Sequence, residues 1–316
     1  MLINNGSEIN IQNIDGKTAL MYAIERNNYE ICKILIEKKG INIQNINGKT
    51  PLMYAVNTNT IEICKLLIES GANINSKDNN ENTALMYSIE GNNYEISKLL
   101  IDSGININIQ NKNKYTALMY AINKSNNEIC KLLIDSDANL NIQDEIGDTA
   151  LMYAIQNKNI EICKLLIEKN CDMNIKNKKG DNSILYTIKK IIGNQNIINN
   201  ANDILKYYEI LILLVESGAN LNIKDNDEKS ALDLVMFNKY SKISEYLISK
   251  SNGKRNNNHK NNELKEEIKK EIINKIQNKK NRKNKEEEEK KFEEERRKKK
   301  FEEEKKKKNV VIKLTI

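Results

Sequence analysis

The chain has 316 residues, of which 39% are hydrophobic and 30% are charged, and its formal net charge is +7. A single histidine excludes catalytic triads and zinc sites that are built on several histidines. Residues 251–316 hold 24 Lys/Arg and 14 Asp/Glu, a net charge of +10, so the basic character belongs to a C-terminal tail and residues 1–250 have a net charge of −3.

The first 12 residues resemble the end of a unit that recurs further along the chain. Residues 2–6 and 9–12 repeat the pattern of residues 67–71 and 74–77. We therefore predict that residues 1–12 are the end of a truncated preceding repeat. Without the rest of that repeat, the first complete unit is expected to be partly uncovered and to fray or self-associate, at an apolar side made of Leu20, Ile24, Ile31 and Leu35.

Residues 13–249 contain seven repeating units. A Leu-Met pair returns at steps of 32, 33, 33 and 33 residues, at Met21, Met53, Met86, Met119 and Met152. An asparagine series with the same spacing reaches Asn222 after a last step of 48 residues, which indicates a 15-residue insertion near residues 193–207. Such regularity is typical of a solenoid, in which neighbouring units stack to bury their apolar faces.

Each unit is predicted to be a turn followed by two helices. In the unit at residues 45–77, Asn47-Gly48 favours a tight turn, and Thr50-Pro51 favours a helix start with a hydroxyl cap. The apolar residues between Ile61 and Ile68 mark a second helix, which Gly71 ends.

These units resemble the ankyrin repeat. The segments Thr-Pro-Leu-Met-Tyr-Ala at residues 50–55 and Gly-Ala-Asn-Ile-Asn at residues 71–75 are similar to the signature of that family. The resemblance covers residues 1–249 and implies an all-α ankyrin-repeat solenoid of helix-turn-helix units with short β-hairpin turns. Five units have Met where the signature has His, and we expect apolar packing to replace the hydrogen bond of that histidine.

The cysteines are predicted to be structural. Four of the five recur at one position of the second helix, and stacked helices lie roughly 8 to 10 Å apart, too far for a disulfide. No second type of metal ligand lies nearby in the sequence. We therefore expect no catalytic residue, no cofactor and no metal, with structural thiols at Cys32, Cys64, Cys130, Cys163 and Cys171.

The last part of the chain is predicted to change from repeat to tail. Asp233 replaces the repeated Met of the seventh unit, which favours a polar terminal cap. Residues 250–262 read as a polar linker, and residues 263–308 read as a long charged C-terminal helix, either solvated or in a coiled coil. The apolar residues 309–316 are strand-prone and are expected to be frayed.

The resemblance implies a non-enzymatic scaffold that binds a protein partner on a concave surface formed by the turn tips and the first helices. Candidate binding residues are those that vary among otherwise similar units. In chain order they are Ile14, Asp15, Lys17, Glu25, Arg26, Ile46, Asn47, Lys49, Glu90, Lys112, Tyr115, Lys124, Glu145, Ile146 and Asp148.

Alternatives to this function remain open at the level of the sequence. The chain could be part of a larger ankyrin-containing protein with an enzyme or adaptor domain outside it, or a tether that uses the tail to hold nucleic acid or a membrane. Acidic blocks and the lack of interleaved aromatic residues in the tail argue against nucleic acid. No apolar run is long enough to be a transmembrane segment, which favours the cytoplasm or the nucleus. Self-association through the first unit or the tail is a further prediction.

Overall fold

The computed structural model describes residues 9–37, 40–193, 201–251 and 258–314. Most of the predicted truncated repeat, the segment 194–200 of the insertion and the linker residues 252–257 lie outside these ranges. The described residues fold into helices without an extended sheet. The helices are α1 (Ala19–Glu25), α2 (Tyr29–Ile36), α3 (Pro51–Asn57), α4 (Ile61–Glu69), α5 (Ala84–Glu90), α6 (Tyr94–Asp102), α7 (Ala117–Asn123), α8 (Asn127–Asp135), α9 (Ala150–Gln156), α10 (Ile160–Glu168), α11 (Ser183–Gly193), α12 (Ala201–Glu216), α13 (Ala231–Phe237), α14 (Ser241–Ser251) and α15 (Asn258–Leu314).

The helices of the seven units stack in two layers. The odd-numbered helices from α1 to α13 form the inner layer, in which each helix packs on the next. The even-numbered helices from α2 to α12 form the outer layer in the same way, and each pairs with the inner helix of its own unit. The predicted turn–helix–helix unit and its stacking are therefore confirmed.

The inner helices begin at a side-chain cap that the sequence repeats. The Thr50 hydroxyl accepts a hydrogen bond of 3.3 Å from the backbone N–H of Met53, which would otherwise lack a partner inside the helix. The same cap is formed by Thr18, Thr83, Thr116 and Thr149. An asparagine caps four of the outer helices in an equivalent way, at Asn28, Asn93, Asn126 and Asn159.

The recurring asparagines of the sequence connect neighbouring units. The side-chain oxygen of Asn42 accepts a hydrogen bond of 2.8 Å from the backbone N–H of Asn73 in the next unit. Asn75, Asn108, Asn141 and Asn174 make the same connection to the unit that follows each of them, over 2.8 to 2.9 Å. The Asn174 bond reaches Asn220 across the insertion, so the stacking continues into the seventh unit.

The core of the stack is apolar and contains the residues that replace the family histidine. Met21, Met53, Met86, Met119 and Met152 are all at most 2% exposed, as the prediction of apolar packing requires. All five cysteines are buried as free thiols. Burial raises the pKa of Cys64 and Cys130 to about 12, which leaves these thiols protonated and poorly nucleophilic at neutral pH.

The first complete unit is better covered than we predicted. Leu20, Ile24 and Leu35 are buried, because they pack against the second unit and within their own helix pair. Ile31, by contrast, is 42% exposed, whereas Ile63 at the equivalent position of the next unit is 1% exposed. The first unit is therefore uncovered at Ile31 on its outer helix and at Tyr22 on its inner helix, since Tyr22 is 41% exposed and the equivalent Tyr54 is 8% exposed.

The seventh unit does not form the polar end of the array, because the start of α15 packs on it. α15 contacts both α12 and α14, and its Ile268 and Ile272 are buried in the same core as the repeats. The prediction of a wholly solvated or self-paired tail is wrong for this segment. α15 also begins inside the predicted linker and continues to Leu314, so residues 309–314 are helical rather than frayed or extended.

Charged side chains hold the start of α15 against the last unit. The Glu271 carboxylate accepts hydrogen bonds from the backbone N–H groups of Ser241 and Lys242, at the N-terminus of α14. The Lys275 ammonium lies 3.8 Å from the centre of the Tyr240 ring and donates to the backbone oxygen of Asn238. An acid at a helix N-terminus and a cation at exposed carbonyls are both favourable placements. Within the described ranges, no helix is both long and apolar enough to cross a membrane.

Candidate protein-binding surface

The turn tips of the seven units form one continuous row. The backbone N–H of Ile46 donates to the oxygen of Asp15 in the preceding tip over 3.1 Å, and Asn79 donates to Asn47 over 2.9 Å. Equivalent bonds run from Lys112 to Asn80, from Glu145 to Asn113, from Lys178 to Ile146 and from Asn226 to Lys179. These backbone hydrogen bonds fix the position of each tip relative to the next.

Glycine at the end of a tip allows neighbouring tips to approach closely. Gly48 has a φ of +76°, and a Cβ atom at this position would lie 2.6 Å from the backbone nitrogen of Asn79. Glycine adopts this conformation without strain, but it is not required, because Glu81, Lys114 and Glu228 take the same position of other units with φ of about +60°. The Asn-Gly turn predicted from the sequence is present, although β-bridges in the described residues are isolated ones, such as Gln143 with Thr149.

Three of the predicted binding residues are exposed isoleucines at the tips. Ile14 is 94% exposed, Ile46 is 59% exposed and Ile146 is 56% exposed. The backbones of Ile46 and Ile146 take part in the tip-to-tip hydrogen bonds, and Asp15, the residue after Ile14, accepts one of them. Apolar side chains in this setting are candidates for the centre of an interface.

Most of the predicted charged and polar residues also lie on this surface. Two pairs of them are ion pairs: Lys17 with Glu25 at 2.7 Å, and Lys124 with Glu90 at 3.7 Å. The hydrogen bond to Glu25 raises the pKa of Lys17. Because these pairs are partly or well exposed, their contribution to stability is small. The remaining residues of this kind are exposed at Asp15, Arg26, Asn47, Lys112 and Glu145.

One variable position after the tip contacts the next unit instead of solvent. Its occupants in the first two units are Lys17, whose ammonium lies 5.5 Å from the ring centre of Tyr54, and Lys49, which lies 4.4 Å from that of Tyr87. In the fourth unit the occupant is Tyr115, which is half-buried against the next unit. Variation at this position therefore reflects alternative ways to contact a neighbouring unit.

Asp148, at the same position of the fifth unit, is a correction to the predicted surface. Its side chain is 4% exposed and accepts a hydrogen bond of 2.7 Å from the side-chain nitrogen of Asn177. Burial raises the pKa of its carboxyl group, although the hydrogen bond opposes this shift. A residue covered in this way cannot touch a partner, and the sequence offered no signal of it because Asp is most often exposed.

Tyrosines of the inner helices link the tips to the helical layers. The Tyr153 hydroxyl donates to the Asp144 carboxylate over 2.6 Å, and Tyr87 donates to Asp78 over the same distance. In the second unit the direction is reversed, because the Asn45 amide donates to the Tyr54 oxygen over 2.9 Å. The pKa of Tyr153 is raised by burial and by its acidic partner. These tyrosines are structural supports of the surface. In the sequence, the only indication of this role was that Tyr recurs at one position of the repeat.

The buried acidic side chains of the array are held in contacts within the protein. In the part of the chain that the structure describes, no group of three or more His, Cys, Asp or Glu side chains is placed to hold a metal ion. The buried carboxylates are engaged with tyrosine, asparagine or lysine. Lys189, for example, lies 2.6 Å from Asp181 and 2.8 Å from Asp225. What the arrangement offers is an ordered, largely preformed contact surface.

The two stacked helical layers and the row of tips define an α-solenoid built from short helical repeats. The sequence model of the family described as "Ankyrin repeats (3 copies)" matches residues 1–78, 42–111, 59–144 and 85–177, which together exceed half of the chain. The chain therefore belongs to the ankyrin repeat family. Repeats of this family generally mediate protein–protein interaction.

A solved structure supports the same fold. The crystal structure of the ankyrin repeat domain of Bcl-3, described as a unique member of the IκB protein family, superposes with a TM-score of 0.60 at 23% sequence identity. The match covers 70% of this chain and 94% of the Bcl-3 chain. At this identity the likeness concerns the fold. No curated protein sequence matches the chain.

Proposed function

We propose that the chain is a non-enzymatic scaffold that binds a protein partner on its concave face, formed by the tips and the inner helices. The observation that carries the proposal is the presence of Ile14, Ile46 and Ile146 as exposed side chains on ordered tips. Full burial of one such side chain contributes about 1.5 to 3 kcal/mol. Because the tips are already ordered, little conformational entropy is lost when a partner covers them.

The proposed surface contains fewer residues than the set of binding residues predicted from the sequence. It contains the three isoleucines together with the exposed residues Asp15, Glu25, Arg26, Asn47, Glu90, Lys112, Lys124 and Glu145. Tyr115 and Asp148 support it from below, and Lys17 and Lys49 connect adjacent units. The exposed charges around the isoleucines would orient a partner and affect its rate of association more than its affinity.

Replacement of the three isoleucines tests the proposal. A partner captured by the full chain should be lost from the variant with Ile14→Ser, Ile46→Ser and Ile146→Ser, while the unfolding midpoint stays close to that of the wild type. The matched control is the double variant Ile34→Ser and Ile248→Ser, which changes isoleucines of α2 and α14 that are 43% and 40% exposed. Equal loss of the partner from both variants would contradict the proposal.

A tail truncation separates the surface from the tail alternative. Deletion of all residues after 250 would also remove Ile268 and Ile272 from the core, so its result would mix unfolding with loss of binding. The chain should instead end after Asn278, which keeps the docked segment. We expect this truncated chain to bind the partner as the full chain does. Loss of the partner on this truncation, with binding retained by the triple Ser variant, would assign the function to the tail.

A further inference from the structure

The regular packing of the outer helices changes between the last two units. Each outer helix from α2 to α10 packs on the outer helix that follows it. In the described residues α12 and α14 instead pack on α15 rather than on each other, although their inner partners α11 and α13 remain in contact. α12 and α14 therefore form the two walls of a groove, and the start of α15 is a helix that fills it.

The docked part of α15 is an amphipathic face about two turns long. Ile268 and Ile272 lie one turn apart and are 0% and 2% exposed. Glu271 and Lys275, which are three and seven residues after Ile268, lie on the same side of the helix. Anchors at positions i, i+3, i+4 and i+7 are typical of a helix that binds in a groove of another protein.

The end of the groove is complementary in charge to this face. The Glu271 carboxylate accepts hydrogen bonds of 2.8 and 2.9 Å from the backbone N–H groups of Ser241 and Lys242, at the N-terminus of α14. The Lys275 ammonium donates over 2.9 Å to the backbone oxygen of Asn238, at the C-terminal end of α13. A helix N-terminus favours an acid, and a helix C-terminus favours a cation. The groove therefore selects both the direction and the register of the helix that it holds.

The docked face is a small part of α15. The helix has 57 residues, and its described side chains from Asn281 to Lys299 are exposed. In the described part of α15, the buried side chains are those of Ile268 and Ile272. Glu271 and Lys275 are only half-buried, and water and salt weaken such charged contacts. The segment therefore stays in the groove in large part because it belongs to the same chain, which gives it a high effective concentration there.

We propose that the groove between α12 and α14 is a binding site for an amphipathic helix of a partner protein, with the pattern Ile-x-x-Glu-Ile-x-x-Lys. α15 occupies the site as an intramolecular ligand. The partner helix places its isoleucines between α12 and α14, its Glu at the N-terminus of α14 and its Lys at the end of α13. Because the two helices cannot occupy the groove together, partner binding releases the start of α15.

The occupant is a helix of another protein rather than a second copy of this chain. A second copy offers the same segment without the tether, so it competes poorly with the α15 that is already present. A partner helix with the same charges and a larger apolar face can displace it. None of the residues of the proposed surface at the tips belongs to the groove, so this site does not depend on the proposed scaffold function.

The test uses the full chain and a fluorescent peptide with the sequence of residues 258–280 as the probe. Fluorescence anisotropy is expected to show weak binding of the peptide to the wild type, whose groove is occupied. Ile272→Ala in the chain weakens the docking of α15, so the peptide should bind this variant about 10-fold or more tightly than it binds the wild type. Ile273→Ala changes the adjacent, exposed isoleucine and is the matched control, which should behave as the wild type does.

A change in the peptide tests the charge complementarity. The peptide with Glu271→Gln should bind the Ile272→Ala chain about 10-fold more weakly than the unchanged peptide, because it loses a charged acceptor for two backbone donors. The peptide with Ile273→Ala should bind as the unchanged peptide does. Glu271→Gln in the full chain keeps both buried isoleucines. It provides a second chain with an accessible groove in case Ile272→Ala lowers the helix content measured by circular dichroism.

Each outcome of these titrations supports or overturns the proposal. Tighter binding of the peptide to the Ile272→Ala and Glu271→Gln chains than to the wild type supports it. Equal affinities for all chains, no saturable binding to either variant, or equal binding of the Glu271→Gln peptide and the unchanged peptide would overturn it. Sedimentation of the wild type as a dimer that Ile272→Ala abolishes would also overturn it, because the occupant would then be a second copy.

Discussion

The rings of Tyr115 and Tyr153 meet edge to face, with their centres 5.6 Å apart and their planes at 81°. Tyr115 follows the tip of the fourth unit, and Tyr153 lies on the inner helix of the fifth. The contact therefore joins two units. Tyr115, which the sequence suggested as a partner-binding residue, therefore packs against the neighbouring unit.

Tyr115→Ala is accordingly expected to lower stability. The loss of the aromatic pair should cost about 0.5 to 1.5 kcal/mol, in addition to the apolar area that becomes exposed. Urea unfolding monitored by circular dichroism measures the effect, with Lys112→Ala, an exposed change in the same tip, as the control. If Tyr115→Ala weakened partner binding and left the unfolding midpoint unchanged, the packing role would be wrong.

The third unit contains a buried serine pair whose energetics can be measured. Ser88 and Ser97 have their hydroxyl oxygens 2.7 Å apart, where the second unit has Ala55 and Cys64. Ser88→Ala or Ser97→Cys alone should each cost about 1 kcal/mol, because a hydroxyl contact is lost in a buried place. The double variant restores the residues of the neighbouring units and should be about neutral. Additive costs in this double-mutant cycle would show that the two hydroxyl groups do not interact.

The buried carboxyl group of Asp148 should make stability depend on pH. Burial raises its pKa in the folded state, with a further raising effect of Asp144 and opposing effects of Asn177 and Lys190. A group whose folded pKa is raised contributes stability below its unfolded pKa and loses that contribution as pH rises through the folded pKa. Asp148→Asn, which keeps an oxygen for Asn177, should therefore be more stable than the wild type at neutral pH.

The comparison for Asp148 is urea unfolding over a series from about pH 3 to about pH 7. The advantage of Asp148→Asn over the wild type should shrink as pH falls, because the wild-type carboxyl group becomes protonated. Asp15→Asn makes the same change of net charge at an exposed tip and serves as the control. A less stable Asp148→Asn at neutral pH would mean that the ionised carboxylate is favourable where it lies.

The docking of α15 can be tested with two adjacent isoleucines. Ile272 is 2% exposed and Ile273 is 48% exposed. Ile272→Ala should therefore weaken the packing of α15 on the array by about 2 to 5 kcal/mol, and Ile273→Ala should weaken it much less. Hydrogen exchange should show faster exchange in α14 for Ile272→Ala, because α15 covers that helix. Equal exchange of α14 in the two variants would indicate that α15 does not dock in solution.

The repeat architecture could be predicted from the sequence because its signals are local. Thr50 caps the helix that begins at the next residue, Gly48 permits the turn, and the apolar residues of α4 lie on one face. These signals recur about every 33 residues, so a unit in which one signal is missing can still be assigned from the equivalent residues of the other units. The isoleucines of the tips could also be predicted as exposed, because they lie in turns, where an apolar residue has no core to pack against.

The role of the variable position after the tip could not be predicted, because it depends on the neighbouring unit. Lys17, Tyr115 and Asp148 have unlike side chains at one position of the repeat, yet each of them contacts a residue of the next unit. From the sequence, unlike residues at one repeat position suggest exposure. The structure shows that several different side chains satisfy one contact between units.

The sequence by itself determined the period, the helices, the turns and the family, since each follows from residues close together in the chain. The tertiary structure decided which variable residues face solvent and where the tail lies. Ile268 and Ile272 are buried although the rest of the tail is charged, and Glu271 reaches the N-terminus of α14 at Ser241, 30 residues earlier. Such contacts form only when distant segments are brought together, and the spacing of residues along the chain does not encode which segments meet.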